Sequence, residues 1–363
     1  MADKRGKRLE GLRRRFASED ADAFLVTNLT NVSYLTGFTG SSGYAVVTPE
    51  KAFFITDSRY TTQSRDEVEG YEVRIQKGRL SEELVKLLKE LGAKKVGFES
   101  RNVAFDFHAA LLNELAGVEL LPVKDAVEKL RAIKDEDEID KISEAVRRAE
   151  EGFRENISRI APGMVESETA LGLEFNIRGL GARKVPFDII VASGERGALP
   201  HGIASGKEMK DGETLIIDFG GEAHGYQSDI TRSGVVGEPD RKQSEIYDIV
   251  LEAQKRAIEK VRAGVSCKEV DEAARGYIAS KGYGEYFGHG LGHGVGLEVH
   301  ESPSVSYLSE DVLQEGMVIT IEPGIYIPGW GGFRIEDMVL VTAEGCEVLT
   351  SLPKDMDFQR NRR

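Results

Sequence analysis

The sequence predicts two domains, a small N-terminal α/β domain followed by a larger α+β domain. A chain of 363 residues is long for one hydrophobic core, so two domains are the starting expectation. Helix and strand patterns alternate in the first third, whereas later the helix patterns come first and the strand patterns cluster behind them. The charged segment 131–139 separates the two regions. We expect the domains at residues 1–128 and 129–355, with a tail at 356–363.

The first domain begins with an amphipathic helix pattern and continues with short apolar runs. Leu9, Leu12 and Phe16 recur at helical spacing. Ser81 can cap a second helix, because a serine hydroxyl accepts a hydrogen bond from a free amide of the first turn. That helix would turn four leucines to the core: Leu84, Leu87, Leu88 and Leu91. Strands are predicted at residues 23–27, 44–47, 52–56 and 95–98.

The second domain begins with a helix whose apolar positions run from Ile139 to Phe153 at helical spacing. Two further amphipathic helices are predicted at residues 246–261 and 270–280. Strand patterns occupy five runs: residues 186–192, 214–219, 226–231, 317–322 and 333–341. Because the helices and strands are segregated, we expect antiparallel sheets with helices packed beside them.

Composition and charge exclude several classes of protein. No apolar run approaches the roughly 20 residues of a membrane-spanning helix, and residues 1–15 lack the apolar core of a secretory signal. The net charge of −14 argues against a nucleic-acid partner, because phosphate binding needs a basic surface. The two cysteines, Cys267 and Cys346, give neither a disulfide framework nor a thiolate metal cluster. We therefore expect a cytoplasmic protein without a nucleic-acid or membrane partner.

Two aspartates flank a predicted hairpin. Asp218 ends one apolar run, and Asp229 begins the next after a glycine-rich turn centred on residues 223–224. In a hairpin with that centre, the two aspartates would lie opposite each other on one face. Carboxylates that close repel each other unless a proton or a cation lies between them. The alternative is a pair of exposed acids at the edge of a turn, which the apolar neighbours of Asp218 disfavour.

Three histidines follow in a glycine-rich stretch. His289, His293 and His300 lie close together in a chain that has only 6 histidines. Glycine at alternate positions lets the backbone approach a ligand or a second strand closely. The alternative is a flexible surface loop, but three histidines together favour a binding site.

Glu322 and Glu336 each lie inside an apolar strand pattern, where an unpaired charge would be costly. For Glu336, an ordinary ion pair with Arg334 is the alternative. The two glutamates, two aspartates and one histidine form an oxygen-rich set that suits Mn²⁺ or Co²⁺. Four carboxylates and a neutral histidine balance two divalent cations, as a dinuclear hydrolase requires. The chain contains no phosphate-binding glycine motif, nucleophile elbow or His-Glu-x-x-His motif.

Longer motifs run through both halves of the chain. In the second domain they are Phe187–Gly194, Leu199–Gly202, His293–Leu297, Ile321–Gly324 and Arg334–Asp337, and in the first domain they are Tyr34–Gly40 and Thr56–Tyr60. The second domain resembles the pita-bread metallopeptidases, in the proline-directed branch of aminopeptidase P and prolidase. The first resembles the creatinase/prolidase N-terminal domain. Methionine aminopeptidases share the catalytic fold without that domain, so they are disfavoured.

The resemblance implies five metal ligands in the family order Asp, Asp, His, Glu, Glu. Asp229 and Glu336 would bridge two divalent cations. Asp218 would complete one metal site, and His293 with Glu322 would complete the other. The metal implied is Mn²⁺, with Co²⁺ or Zn²⁺ as alternatives. A bridging water acidified by both cations would attack the scissile carbonyl.

The resemblance also implies catalytic and substrate-binding side chains. Glu322 would act as the general base for the attacking water. His201 and His300 would hydrogen-bond the substrate and the tetrahedral oxyanion. Three further residues would line the proline pocket or support the ligands: His289, Tyr326 and Arg334. A purely structural role is the alternative for these three.

The activity implied is removal of the first residue from peptides with proline at position two, as in an Xaa-Pro aminopeptidase. The alternative is an Xaa-Pro dipeptidase, or prolidase; the segment 34–43 and the compact length favour the aminopeptidase. A metal-free creatinase and a catalytically inactive binding protein are further alternatives, which the retention of all five ligands disfavours. We expect a homodimer that acts on proline-containing peptides.

Overall fold

The computed structural model describes residues 2–157 and 159–357, and it divides into two compact units between Arg131 and Ala132. The predicted fold class is confirmed, since an α/β unit precedes an α+β unit. The domain limits at residues 128 and 129 stay a prediction. Residues 358–363 of the predicted tail lie outside the described residues. No helix in the described part of the chain is both long and apolar enough to cross a bilayer.

In the first unit, helices and strands alternate along the chain. The helices are α1 (Ala2–Ala17), α2 (Leu29–Thr36), α3 (Thr61–Glu67), α4 (Leu80–Glu90), α5 (Phe105–Glu114) and α6 (Glu128–Arg131). The strands are β1 (Ala23–Val26), β2 (Tyr44–Val47), β3 (Ala52–Asp57), β4 (Glu72–Gln76), β5 (Lys95–Glu99) and β6 (Glu119–Val123).

These strands form one mixed sheet in the order β4-β3-β2-β1-β5-β6. The β1–β2 and β2–β3 pairs are antiparallel, and the remaining pairs are parallel. Leu84, Leu87 and Leu88 of α4 are buried against the sheet, as their spacing predicts. The predicted cap was wrong, because Ser81 lies inside the first turn and Arg79 occupies the cap position.

The second unit begins with helices and continues with short strands. The helices are α7 (Glu136–Ile157), α8 (Glu166–Gly179), α9 (Arg241–Lys260) and α10 (Cys267–Ser280). The strands are β7 (Ile190–Ser193), β8 (Thr214–Phe219), β9 (Glu222–Ala223), β10 (Tyr226–Gln227), β11 (Ile230–Val235), β12 (Gly292–Gly294), β13 (Glu301–Val305), β14 (Val318–Ile321), β15 (Gly324–Ile327), β16 (Gly331–Arg334), β17 (Asp337–Val341) and β18 (Cys346–Val348).

Two antiparallel sheets hold the centre of this unit, in the orders β11-β8-β7 and β13-β12-β14-β17-β18. Helix α7 packs on the first sheet, where the ring of Phe153 stacks on Phe219 at 4.6 Å between centroids. Helix α9 begins at Arg241 rather than at the predicted residue 246, because Asp240 forms a capping box with Gln243. Apolar residues of α9 and α10 pack with those of β14 and β17 in a second core.

The hairpin between β8 and β11 differs from the prediction in its centre. Its turn lies at His224–Gly225, where both residues have positive φ (54° and 89°), as a two-residue type I′ turn requires. Asp218 therefore pairs with Thr231 rather than with Asp229. A one-residue shift of the centre moves the partner by two residues, so both aspartates keep the same face of the hairpin.

Three predicted strands were wrong in their extent. The run 226–231 divides into β10 and β11, and β11 extends to Val235. The run 333–341 divides into β16 and β17, and residues 335–336 lie between them. The run 186–192 begins as a strand only at Ile190.

Candidate active site

The five predicted ligands come together where strands of the second unit end or are interrupted. They are Asp218 on β8, Asp229 just before β11, His293 on β12, Glu322 just after β14 and Glu336 between β16 and β17. The amide of Glu336 donates to the carbonyl of Thr231 at 3.2 Å, and the amide of Glu322 donates to that of Leu291 at 2.9 Å. These backbone bonds connect the strand ends into one site.

The ligand atoms form overlapping groups. Two groups each have donor atoms within 4.8 Å of one another. One group is Asp218, Asp229 and Glu336, and the other is His293, Glu322 and Glu336. His293 Nε2 is 3.3 Å from Glu322 Oε1 and 3.6 Å from Asp229 Oδ2. His293 Nδ1 lies 3.1 Å from the carbonyl of Gly294. A carbonyl can only accept, so Nδ1 carries a proton, and Nε2 can bind a metal once it has lost its own proton.

Glycine at position 292 allows this arrangement. A Cβ atom on Gly292 would lie 2.0 Å from the carbonyl oxygen of Thr320 on β14. Because β12 runs so close to β14, the Thr320 hydroxyl reaches two ligands. It accepts from the amide of His293 at 3.1 Å and donates to Glu322 Oε1 at 3.1 Å.

Each of three carboxylates at the centre of the site has one buried oxygen atom that makes no hydrogen bond. These oxygens are Asp218 Oδ1, Asp229 Oδ1 and Glu336 Oε1. Burial, followed by repulsion from the neighbouring acids, raises the pKa of Asp229 and Glu336 well above their usual values. An unpaired buried carboxylate is costly unless a cation compensates its charge. Three converging orphan oxygens and an available imidazole nitrogen therefore fit divalent metal ions.

His293 and Glu322 influence each other strongly. Burial disfavours the charged form of both groups, but their hydrogen bond and opposite charges outweigh it. The pKa of His293 is raised, and that of Glu322 is lowered to about 2. Glu322 is therefore ionised over the whole neutral range, as a metal ligand or a proton acceptor must be.

Arg334 links the metal-ligand candidate Asp218 to Thr231 and Tyr326. Its Nη2 donates to Asp218 Oδ2 at 2.6 Å, and its Nε donates to Thr231 Oγ1 at 3.0 Å. Its Nη1 donates to Tyr326 Oη at 3.0 Å. The alternative of an Arg334–Glu336 ion pair was wrong, because Arg334 pairs with Asp218.

The phenol of Tyr326 continues this network to His289. Its oxygen lies 2.9 Å from His289 Nε2, and His289 Nδ1 lies 2.7 Å from the carbonyl of Gly290. Burial raises the pKa of Tyr326 to about 12 and lowers the pKa of His289. His289 is thus neutral, with its proton on Nδ1 and Nε2 accepting from the phenol.

A buried arginine holds the other side of the cluster. The guanidinium of Arg232 pairs with Asp337 at 2.8 Å, and each side chain is 1% exposed. Arg232 also donates to the carbonyl of Glu336 at 2.5 Å and to those of Leu352 and Pro353. The backbone of Glu336 is therefore fixed by the same side chain that binds the segment after β18.

A cavity of about 470 Å³ opens over the cluster. Its walls carry all five ligand candidates together with His201, His289, His300 and Arg334, and they include apolar side chains at Phe187, Ile190 and Ile203. The rings of His293 and His300 lie 4.3 Å apart. Burial, followed by the charges of His293 and His201, lowers the pKa of His300, so its ring is neutral near pH 7.

Two threonines of this site were not predicted from the sequence. Thr231 donates to Glu336 Oε2 at 2.7 Å, and Thr320 links His293 to Glu322. Each threonine lies two residues before or after a predicted ligand on the same strand face. That spacing is the signal that could have identified them.

Comparison with known proteins agrees with this geometry. Residues 140–343 match metallopeptidase family M24, and residues 8–133 match the creatinase/prolidase N-terminal domain. An Xaa-Pro dipeptidase of Pyrococcus horikoshii is 43% identical over 337 residues, which cover 92% of this chain and 94% of that protein.

Two solved structures are similar over nearly the whole chain. The Xaa-Pro dipeptidase from Bacillus anthracis is 45% identical, with a TM-score of 0.95 and coverage of 97% of this chain and 99% of that one. The X-Pro aminopeptidase from Thermotoga maritima is 42% identical, with a TM-score of 0.87 and coverage of 94% and 99%. The chain therefore belongs to metallopeptidase family M24, a family of hydrolases, as its pita-bread motifs predict.

Proposed function

We propose that the protein is a metal-dependent Xaa-Pro dipeptidase. The observation that carries metal-dependent hydrolysis is the group of three buried carboxylate oxygens without partners beside His293 Nε2. The names of the similar proteins from B. anthracis and P. horikoshii support dipeptide substrates. The aminopeptidase activity that the sequence favoured finds less support than its dipeptidase alternative. It stays the second candidate, because the T. maritima structure is named for it.

We propose that the five ligands hold two divalent cations, with Mn²⁺ as the first candidate and Co²⁺ or Zn²⁺ as alternatives. Asp229 and Glu336 would contact both ions, Asp218 one of them, and His293 with Glu322 the other. Ions bound there would supply Lewis acidity, lowering the pKa of a water molecule and polarising a peptide carbonyl. The oxygen-rich donor set supports Mn²⁺ or Co²⁺ over thiolate-seeking metals.

Side chains of the protein would then accept the proton, bind the oxyanion and bind the substrate. Glu322, ionised at neutral pH, would accept the proton of the attacking water. His300 is neutral, so its N–H would donate to the oxyanion that develops on the scissile carbonyl, and His201, also on the cavity wall, would bind the substrate. Three residues would shape and support the proline pocket: His289, Tyr326 and Arg334.

Peptide length separates the two candidate activities. The purified protein with Mn²⁺ should hydrolyse Ala-Pro and leave Ala-Pro-Ala intact. Release of free alanine from the tripeptide at a comparable rate would replace the dipeptidase by the aminopeptidase. Inactivity on both peptides, with two ions bound by elemental analysis, would refute Xaa-Pro hydrolysis.

We further propose that the protein acts in the cytoplasm as a homodimer on proline-containing peptides. Both cysteines are free, with Cys267 buried and Cys346 partly buried, which supports a reducing compartment. The homodimer rests on the family resemblance alone. Light scattering of the purified protein would test it, and a monomer mass would refute it.

A further inference from the structure

Glu166, the first residue of α8, is a charged side chain in an unusual place. Its relative exposure is 0%, and the donors that its carboxylate binds include none of the proposed ligands. Its carboxylate accepts from the amide and hydroxyl of Ser193 and from the amide and hydroxyl of Ser205, at 2.7–3.1 Å. It also accepts from Arg196 Nε at 2.9 Å. Every one of these donors lies outside α8.

These donors lie at the two ends of one loop. Ser193 is the last residue of β7 and Arg196 follows it, while Ser205 lies further along the connection to β8; the segment 193–205 between them forms the loop. One carboxylate therefore closes the loop by binding both ends. Arg196 strengthens the closure, because its Nη2 also donates to the carbonyl of Ile203 at 2.5 Å.

The middle of this loop lines the active-site cavity. Pro200, His201 and Ile203 all contribute to the cavity wall, and Arg334 donates to the carbonyl of Pro200 at 3.0 Å. The His201 side chain is exposed, so its position follows the loop backbone. The loop is thus held at its tip by the active site and at its base by Glu166.

The ionisation state of Glu166 strengthens its hydrogen bonds to the loop. Burial alone would raise the pKa of Glu166, but the hydrogen bonds from Ser205, Ser193 and Arg196 outweigh it and the pKa is lowered. Glu166 is therefore ionised at neutral pH, and bonds to a charged acceptor are stronger than neutral ones. A neutral amide at this position would present donor hydrogens to groups that are themselves donors.

We propose that Glu166 is a positioning residue that fixes the loop 193–205 and so holds His201 at the substrate. The proposal rests on the proposed function, in which His201 binds the substrate. Glu166 itself does not touch the cavity, so its effect on the reaction passes through the loop. A displacement of about 1 Å at a substrate-contacting group can cost about a hundredfold in rate.

The test combines hydrogen exchange with a double-mutant cycle. In Glu166→Gln, amide exchange in residues 194–204 should accelerate about tenfold, while the β8–β11 hairpin keeps its protection. Mn²⁺ should bind with wild-type stoichiometry, because the proposed ligands lie outside the loop. The kcat/KM for Ala-Pro should fall about 10–100-fold in Glu166→Gln. In a protein that already carries His201→Ala, adding Glu166→Gln should lower kcat/KM only slightly further.

Arg196 and Glu150 provide matched variants. Arg196 is 29% exposed, so Arg196→Gln should fold even if Glu166→Gln does not. Arg196→Gln should accelerate amide exchange in the same loop. Arg196→Lys should have a kcat/KM for Ala-Pro between those of Arg196→Gln and the wild type. Glu150 is a second buried acid, 3% exposed, which accepts from the amide of Leu352 at 3.0 Å. Glu150→Gln should leave exchange in the loop unchanged.

Two results would overturn the proposal. One is unchanged loop exchange in both Glu166→Gln and Arg196→Gln. The other is a loss of kcat/KM on Glu166→Gln that is equally large with and without His201, since a merely structural defect would behave in that way. Wild-type activity of His201→Ala alone would instead remove His201 from the proposed function, and the exchange data would still decide whether Glu166 closes the loop.

Discussion

Asp229→Asn should stabilise the metal-free protein and destabilise the metal-loaded one. The acids Asp218, Asp229 and Glu336 offer oxygens within 4.8 Å of one another. At an effective dielectric constant of about 20, each repulsion over that distance between two ionised acids amounts to about 3.5 kcal/mol. Where an acid takes up a proton instead, its raised pKa destabilises the folded metal-free protein in the same direction. Asparagine has nearly the same shape as aspartate, so the substitution removes two such repulsions without leaving a cavity.

The substitution also removes one attraction. His293 Nε2 lies 3.6 Å from Asp229 Oδ2, which corresponds to about 4.6 kcal/mol when the ring is charged, under the same assumption. The net gain is then about 2 kcal/mol. For a unit of this size, that gain corresponds to a rise of about 4–8 °C in Tm.

The assay is thermal unfolding in a chelator and in excess Mn²⁺. An ion at 100 times its Kd adds about 2.7 kcal/mol to the wild type, and Asp229→Asn should lose most of this gain because a ligand is missing. The order of the two Tm values should therefore reverse between the two conditions. Glu344 is exposed, and Glu344→Gln makes the same charge change without either effect. The reasoning fails if Asp229→Asn is not the more stable protein in chelator, or if Mn²⁺ stabilises both equally.

Three further predictions concern the supports of the site. Glu322→Gln should lower kcat about 10²–10⁴-fold at saturating Mn²⁺, and near-normal turnover would exclude Glu322 as the base. Thr320→Val should weaken Mn²⁺ binding about tenfold in calorimetric titration, because the shared hydroxyl is lost; Thr320→Ser should restore it, and equal affinities would contradict the role of the hydroxyl. Burial would raise the pKa of Asp337, but Arg232 and Lys354 hold it below its usual value. A carboxyl with a depressed folded-state pKa stabilises the protein above its unfolded pKa of about 3.9 and loses that effect as pH falls through the folded value. In urea unfolding, Asp337→Asn should therefore cost about 3–5 kcal/mol at pH 7 and progressively less below about pH 4, and a pH-independent cost would contradict the ion-pair explanation.

Hairpin geometry explains why the metal-ligand candidates were accessible to sequence reasoning. The turn was placed one residue too early, yet Asp218 and Asp229 still share a face, because side chains alternate with a period of two. The turn itself depends on positive φ at His224 as well as Gly225. Type I′ turns usually have Asn-Gly, Asp-Gly or Gly-Gly at these two positions. Here only the glycine is present, so the sequence did not identify the turn position.

Tertiary contacts explain what the sequence did not reveal. The pairing of Arg334 with Asp218 joins residues on different sheets, and no local spacing records it. Helix α8 was missed because its apolar residues lie on both faces. It buries Leu173 and Ile177 together with Glu166 and Thr169, whereas Leu171 and Phe175 are 67% and 76% exposed. A search for apolar periodicity passes over such a helix, although it carries the acid that binds the loop of His201.

The contacts of Arg232 have a practical consequence for anyone who shortens or tags the chain. Its guanidinium joins the carbonyl of Glu336 to those of Leu352 and Pro353, while Lys354 binds Asp337 from the same segment. A deletion that starts before Leu352 would strip acceptors from a fully buried guanidinium and release the backbone beside a proposed ligand. An affinity tag or fusion partner should therefore be joined beyond Asp357.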